Sequence, residues 1–185
     1  MSKNEIPEYI QSLRTDLGFD FVDLYQQGQR VIATVSPEQY SYVLELTKAR
    51  VEQDYQAGKL DLITASTIFL TVLQLSNEVE DLESQIITLC NLGIMYQNSR
   101  AYDVALTFAA EAIKIAHKHN LLEMKLKALQ VVSLVYTNTS ESQKHIDVLE
   151  EVAKIYGKLG QLDKKAEIEA QIKQFKEFMA ILGRS

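Results

Sequence analysis

Residues 91–112, NLGIMYQNSRAYDVALTFAAEA, place six Gly and Ala residues among three large aromatic residues. The small and large side chains recur at steps of three and four, which is the spacing of one helix face. Two antiparallel helices approach closely only where facing side chains are small, and each small residue makes a hole for an aromatic side chain of the other helix. Gly93 within a helix costs up to about 1 kcal/mol relative to Ala, which a close approach to Ala105 and Ala109 would offset. The stretch therefore predicts a tightly packed helical hairpin.

The pattern of this stretch recurs with a period of 40 residues. A gapless shift places Leu92 and Tyr96 on Val132 and Tyr136, and a shift in the other direction places Ala105 on Ala65. The register slips by one residue in the earlier copy, near the turn sequence QAGKLD. The chain holds only 7 Gly and 2 Pro, which favours long helices over a turn-rich β fold. Repeats of this length indicate stacked helix pairs.

The predicted fold class is all-α, an α-solenoid of antiparallel helix pairs with about three repeats. N-terminal helices are expected to pack on the array, and a C-terminal amphipathic helix is expected to cap its last open face. The predicted segments are 1–36 for the N-terminal helices, 37–160 for the repeats (37–80, 81–120 and 121–160) and 161–185 for the C-terminal helix.

Capping sequences mark two predicted helix starts. SPEQ, residues 36–39, offers a Ser N-cap followed by Pro at the first helical position and Gln at the position of a capping box. SESQ, residues 140–143, offers Ser140 and Gln143 in the same arrangement. We expect Ser140 to cap the second helix of the third repeat.

Bulk composition excludes several functions. The net charge of −6 disfavours nucleic acid, whose binding depends on phosphate neutralisation. The uncharged runs are too short and too polar to span a bilayer, so no membrane partner is expected. The single cysteine, Cys90, cannot form an internal disulfide, and the N-terminal residues lack the apolar core of a signal peptide. We therefore expect a cytoplasmic protein.

The repeat resembles the tetratricopeptide repeat (TPR). The residues that carry the resemblance are Leu92, Gly93, Tyr96, Tyr102, Ala105 and Ala112. In the following unit Ser133 stands for the Gly, and His145 and Val152 stand for the two Ala residues. The period is similar to that of long-helix TPR variants, which bind peptides or helical segments of other proteins.

The resemblance implies a partner-binding groove on the first helix of each repeat. Apolar Ile94 stands where carboxylate-binding members of the family carry Asn, and Leu134 is equivalent to it, so an apolar or amphipathic segment is favoured over a carboxylate clamp. The Asn98 and Asn138 amides either hydrogen-bond a peptide backbone or simply end their helices. The groove residues implied are Ile87, Cys90, Ile94, Gln97, Asn98, Lys127, Gln130, Leu134, Thr137 and Asn138.

The C-terminal segment carries a second apolar surface. Its stripe is expected to cover the last repeat, while its tip is more apolar than a cap requires. The tip is therefore a candidate for oligomer formation or for docking of a partner. Its residues are Phe175, Phe178, Met179, Ile181 and Leu182.

No motif in the sequence indicates catalysis, a cofactor or a metal site. His117 and His119 point to different sides of a helix, and Cys90 lies in an apolar helix without a nearby cation to activate it. Three hypotheses follow: a non-enzymatic adaptor for another protein or peptide, a structural protein that dimerises through its C-terminal helix, and a sensor module for a peptide signal.

Overall fold

A computed structural model of the protein describes residues 48–181 and residue 183. These residues form helices and short turns without a β-strand, which confirms the all-α prediction. The predicted N-terminal helices, the cap at residues 36–39, the start of the first repeat and Leu182 lie outside the described residues. The helices are α1 (48–56), α2 (Leu62–Glu78), α3 (Leu82–Asn98), α4 (Tyr102–Lys118), α5 (Leu122–Asn138), α6 (Ser142–Lys158) and α7 (Leu162–Ile181).

From α2 onward the helices follow a strict register. Each of α2 to α6 has 17 residues, and turns of three residues separate successive helices. Equivalent helices in neighbouring pairs are therefore 40 residues apart, as the sequence shift predicts. The turn between α1 and α2 covers residues 57–61 and is longer than the others, so the slip in register lies in a turn, where an insertion disturbs packing least.

One backbone motif ends each of the helices α2 to α6. The second residue of each turn has a positive φ: Glu80 (57°), Arg100 (63°), Asn120 (55°), Ser140 (58°) and Gly160 (71°). After α2, the Glu80 amide donates to the Asn77 carbonyl at 3.2 Å and the Asp81 amide donates to the Ser76 carbonyl at 2.9 Å. This pair of bonds is the Schellman motif, which satisfies the last carbonyls of a helix and requires a left-handed residue.

The predicted cap at Ser140 is wrong by one residue. The N-cap of α6 is Glu141, without a side-chain capping bond. The Glu141 amide donates to the Tyr136 carbonyl at 3.0 Å, which makes Ser140 the left-handed residue that ends α5. The Schellman motif of the preceding helix therefore displaces the capping box.

The chain divides into two compact units, residues 1–91 and 92–185, with the boundary inside α3. In the described part of the first unit, the apolar face of α2 is buried as predicted. Ala65 and Val72 are both fully buried, and Phe69 is 1% exposed. The Lys48 ammonium donates to Ser84 Oγ at 3.0 Å within the same unit.

In the second unit, α4 packs against α5, α5 against α6, and α6 against α7. The buried stripe of α4 consists of four alanines: Ala105, Ala109, Ala112 and Ala116. Alanine side chains let the neighbouring backbones come close, as the opening stretch of sequence predicts. The C-terminal helix α7 packs against α6, and its role as the cap of the array stays a prediction.

Candidate functional site

Gly93 fixes the position of α3 against its neighbours in the second unit. A Cβ atom built on Gly93 would lie 2.8 Å from Val131 Cγ1 and 3.4 Å from the Ala105 carbonyl oxygen. The close approach to α4 was predicted from the sequence. The closer contact, with Val131 of the next helix pair, was not, because the sequence pattern of one hairpin contains no information about the next. Gly93 thus brings three helices together at one point.

The aromatic residues of the opening stretch pack beside this crossing. The rings of Tyr96 and Phe108 stack with centroids 5.6 Å apart and planes at 27°. Stacked rings of this kind add about 0.5–1.5 kcal/mol beyond the area they bury. The equivalent crossing in the next pair is polar, since Ser133 Oγ lies 3.3 Å from His145 Nδ1. Both crossings hold the first helix of a pair against the second.

The predicted groove residues of α5 form one solvent-exposed face. Lys127, Gln130, Leu134, Thr137 and Asn138 are all exposed, at steps that place them on one side of the helix. Leu134 is 45% exposed. The tertiary structure therefore leaves this side of α5 open to solvent.

On α3 the predicted residues differ in exposure. Ile94 is 39% exposed, Asn98 is exposed, and Ile87 and Gln97 are half-buried. Cys90 is only 6% exposed, so little of its side chain is open to a partner, and its place on the groove wall stays a prediction. The groove face is defined within the second unit as seven exposed residues and the half-buried Gln97: Ile94, Gln97, Asn98, Lys127, Gln130, Leu134, Thr137 and Asn138.

Two polar side chains of the groove face bond to their own helix. Asn138 Nδ2 donates to the Leu134 carbonyl at 2.9 Å, and Thr137 Oγ1 donates to the Ser133 carbonyl at 2.9 Å. The Thr137 hydroxyl has one donor, which the helix uses, whereas the Asn138 amide keeps a second N–H and its Oδ1 for a partner. The bond to Leu134 is that of a residue that ends a helix, and the remaining groups of Asn138 can still bond a peptide backbone.

The register of α7 brings one more residue into line with the groove face. Phe178 stands 40 residues after Asn138 and 80 after Asn98, and each of the three is the seventeenth residue of its helix. Phe178 is 56% exposed. The apolar tip pattern places Phe178 on a separate surface, and the 40-residue shift extended into the C-terminal segment is the sequence signal for its equivalence to Asn138.

The remaining C-terminal candidates are divided between packing and exposure. Phe175 is half-buried, and its ring lies edge-on to His145 with centroids 5.4 Å apart. Met179 is half-buried, and Ile181 is 82% exposed. Phe175 therefore anchors α7 to α6 and does not belong to an open surface.

The face of α7 that would receive a further helix is polar. Glu169, Lys173 and Lys176 stand 40 residues after Leu129, Ser133 and Tyr136, which face the second helix of their own pair. Of these three, Lys176 reaches back to α6, since its Nζ donates to Glu150 Oε1 at 2.9 Å, so the open face carries Glu169 and Lys173. The terminal repeat of an array needs such a polar outer face to remain soluble.

Helices α2 to α6 share one length and one terminal turn motif, and a small residue, Gly93, lies at a close crossing. The fold is TPR-like. No family model and no curated protein matches the chain. Among solved structures, the chain is similar to one of nearly identical TPR-like repeats, which its description assigns to a kinesin light chain of Podosopora anserina. The identity is 16% over 98% of this chain and 99% of that chain, with a TM-score of 0.34.

A cleft of about 310 Å³ lies between the α3–α4 and α5–α6 turns. Arg100, Val135 and Glu141 are among its lining residues. A hydrogen bond from the Lys144 ammonium lowers the pKa of Glu141, and the same contact raises the pKa of Lys144. Both groups are charged at neutral pH and exposed to solvent, which fits a structural ion pair at a helix start.

The described residues contain no group of three or more His, Cys, Asp or Glu side chains placed to hold a metal ion. Within the same part of the chain, each helix is too short or too polar to cross a membrane. His117 and His119 are exposed, and His145 is half-buried between α5 and α7. The groove face is therefore the strongest candidate site on the described residues.

Proposed function

We propose that this protein is a non-enzymatic adaptor that binds a peptide or helical segment of another protein along the groove face. The observation that carries the proposal is the exposure of Ile94 and Leu134, 39% and 45%. They are the thirteenth residues of α3 and α5, which Gly93 and Val131 hold in contact. Single exposed apolar residues are common, but a pair at equivalent positions of adjacent helices offers a continuous apolar strip.

The composition of the groove face favours a partner segment that is at least partly apolar. Lys127 is its one cation, so it does not supply the several donors that a carboxylate clamp needs. The polar residues around Ile94 and Leu134 suit the rim of an interface, with the apolar pair at its centre. An amphipathic helix or an extended apolar segment matches this arrangement.

The alternative, dimerisation through α7, has less support. The positions of α7 that would receive a second helix carry Glu169 and Lys173, and charged residues are depleted from the centre of stable interfaces. Sedimentation of the pure protein distinguishes the two functions. A monomer at working concentrations supports the adaptor, and a tight dimer supports the alternative.

The proposal includes a cytoplasmic location, no cofactor and no metal. The single cysteine is buried, and a reducing compartment suits a protein that has no disulfide. No catalytic role is assigned to any residue of the groove face. Nucleic acid and membrane lipid are not among the partners proposed.

The function is tested by charging the centre of the groove face. Ile94→Asp combined with Leu134→Asp should abolish partner binding and leave the fold intact, because both side chains are open to water in the free protein. Burying an unpaired carboxylate against an apolar partner costs at least ~2 kcal/mol, enough to weaken binding roughly 30-fold. Leu70→Asp is the control, since Leu70 is 46% exposed on α2, a helix that contributes no residue to the groove face.

The assay is affinity capture from a lysate of the source cells with the parent, the double variant and the control. Circular dichroism on the same preparations shows whether each is folded. A protein captured by the parent and the control but lost with the double variant supports the proposal. Equal capture by the folded double variant refutes it. Unfolding of the double variant would show that Ile94 and Leu134 stabilise the core, and would refute the groove assignment.

A further inference from the structure

We propose that the groove face continues onto α7 and that its occupant is a cationic amphipathic segment of another protein. This inference rests on the proposed function and assigns the chemistry of the partner. The positions of α7 equivalent to the groove positions of α5 are Glu167, Ala170, Gln174, Glu177 and Phe178. All are exposed. The extended groove face therefore consists of three parallel rows, contributed by the first helices α3, α5 and α7.

An apolar strip crosses these three rows. Ile94 and Leu134 are 39% and 45% exposed, and Phe178 is 56% exposed one helical turn further along its own helix. Aromatic side chains are enriched among residues that dominate binding energy, because they bury a large area at low conformational cost. Phe178 thus anchors the C-terminal end of the strip. The occupant needs apolar side chains along one face.

The charges beside the strip are mostly negative. Glu167 and Glu177 lie on the α7 row, and Lys127 lies on the α5 row. Acidic residues also occupy the first turns of α5 and α7, at Glu123 and Asp163. One lysine and four carboxylates therefore lie on the groove side of α5 and α7. Glu177 stands beside Phe178, and the other four lie roughly two or more helical turns before the strip.

The rest of the second unit has the opposite balance. Residues 92–185 hold 13 Lys and Arg against 11 Asp and Glu, a net of +2, although the groove side contributes −3. On the exposed surface of α4 and α6, lysines repeat with the 40-residue period at Lys114, Lys118, Lys154 and Lys158. A surface potential divided in this way attracts a cationic segment to the groove side and disfavours an anionic one.

The α7 carboxylates are available to such a partner. Glu177 lies 4.0 Å from Lys173, and both side chains are exposed, at 63% and 79%. Because water screens an ion pair this exposed, the pair contributes little to stability. Among the described residues, Glu167 makes no ion pair with a lysine or arginine. The lysines or arginines of an occupant would meet these carboxylates at the rim, where charge sets specificity and association rate.

Two synthetic peptides test the inference with the full chain. Both are helical peptides with leucines at the same positions, one carrying lysine and the other glutamate at every polar position. Fluorescence anisotropy at low salt measures the affinity of each. We expect the lysine peptide to bind at least about tenfold more tightly, and its affinity to fall as salt is raised.

Glu167→Gln combined with Glu177→Gln should weaken the lysine peptide roughly three- to tenfold and reduce its salt dependence. The matched control, Glu111→Gln with Asp147→Asn, removes the same charge from the exposed surface of α4 and α6. The control should bind like the parent. Phe178→Ala should weaken the binding of both peptides, because the substitution removes apolar contact area and leaves the charge unchanged.

The outcomes separate this inference from the proposed function. If both peptides bind equally and Leu134→Asp abolishes the binding of both, the groove assignment is supported and the charge preference is refuted. The inference is also refuted if the control substitutions at Glu111 and Asp147 weaken binding of the lysine peptide as much as those at Glu167 and Glu177. The affinity would then depend on the net charge of the protein alone. If Leu134→Asp leaves a tightly bound lysine peptide unaffected, the peptide binds elsewhere, and both the inference and the groove assignment fail. If neither peptide binds, both are likewise refuted.

Discussion

A methyl group added at Gly93 provides the sharpest test of the packing. Gly93→Ala should gain up to about 1 kcal/mol from helix propensity. The new Cβ would, however, lie 2.8 Å from Val131 Cγ1 and 3.4 Å from the Ala105 carbonyl oxygen. Val131 is 1% exposed, and a valine in a helix has one strongly preferred rotamer, so its methyl group cannot turn away. Overpacking of this kind costs about 1–3 kcal/mol, which exceeds the gain.

The chain contains a matched control at Gly157 in α6. A Cβ at Gly157 would meet only the side chain of Lys165, with Cδ at 3.5 Å and Cε at 3.9 Å. These are ordinary contacts with a flexible chain. Gly157→Ala should therefore stabilise the protein by about 0.5 kcal/mol, the low end of the Gly-to-Ala range, because the residue lies in the last turn. The two substitutions should have opposite signs.

Urea unfolding followed by circular dichroism measures both changes. We expect Gly93→Ala to lower the free energy of unfolding by about 1 kcal/mol, which corresponds to a melting temperature lower by about 2–4 °C. In a Val131→Ala background the same substitution should become neutral or stabilising. The coupling between the two sites should then be about 1–2 kcal/mol.

Two results would refute the argument. If Gly93→Ala is at least as stable as Gly157→Ala, the crossing is not close. If Gly93→Ala is destabilising to the same extent with alanine at position 131, the cost does not come from Val131. Gly93→Leu is expected to lower the free energy of unfolding more than Gly93→Ala, because leucine places a larger side chain at the same contact.

Three further predictions concern turns, the C-terminal helix and pH. Ser140→Gly should raise the free energy of unfolding by about 0.5–1 kcal/mol, and Gly160→Ala should lower it by a similar amount, because both positions have a positive φ. Melting temperatures equal to that of the parent would contradict this. Truncation after Lys173 should produce an insoluble or molten protein that binds a hydrophobic dye, whereas a folded, soluble product would mean that the last turns of α7 do not cap the array. Asp61→Ala should be less stable than the parent near neutral pH, and the difference should vanish in acid. The Thr64 amide donates to Asp61 at 2.7 Å and lowers the pKa of that carboxyl below its ordinary value of 3.8. The stabilisation is therefore present above this value and lost as the pH falls through the lower pKa of the folded state, which urea unfolding at a series of pH values would show.

The helices themselves could be predicted from the sequence because their determinants are local. Apolar residues at steps of three and four give the helix type and its buried face, as in α2 and α4. The 40-residue shift gives the pairing, since a three-residue turn reverses the chain and places consecutive helices side by side. None of these features depends on a distant residue.

Helix ends were less predictable because two local motifs compete for the same residues. Ser140 satisfies the sequence pattern of an N-cap for α6. It is also the residue that must be left-handed to let the Glu141 amide reach the Tyr136 carbonyl. The motif that ends α5 takes precedence here, and the propensity of serine for N-caps does not reveal that outcome.

Only the tertiary structure decided which side chains of a helix face are covered. Cys90 and Ile94 lie on one side of α3 in the sequence pattern, yet Cys90 is buried and Ile94 is exposed, since their surroundings come from other helices. Val131 limits the size of the side chain that fits at position 93, although the two residues are 38 positions apart in sequence. The sequence pattern predicts an oligomer contact at Phe178, whereas the register of α7 places this residue at the position equivalent to Asn138. Periodicity gives the face of a helix, whereas contacts between helices decide how much of that face remains for a partner.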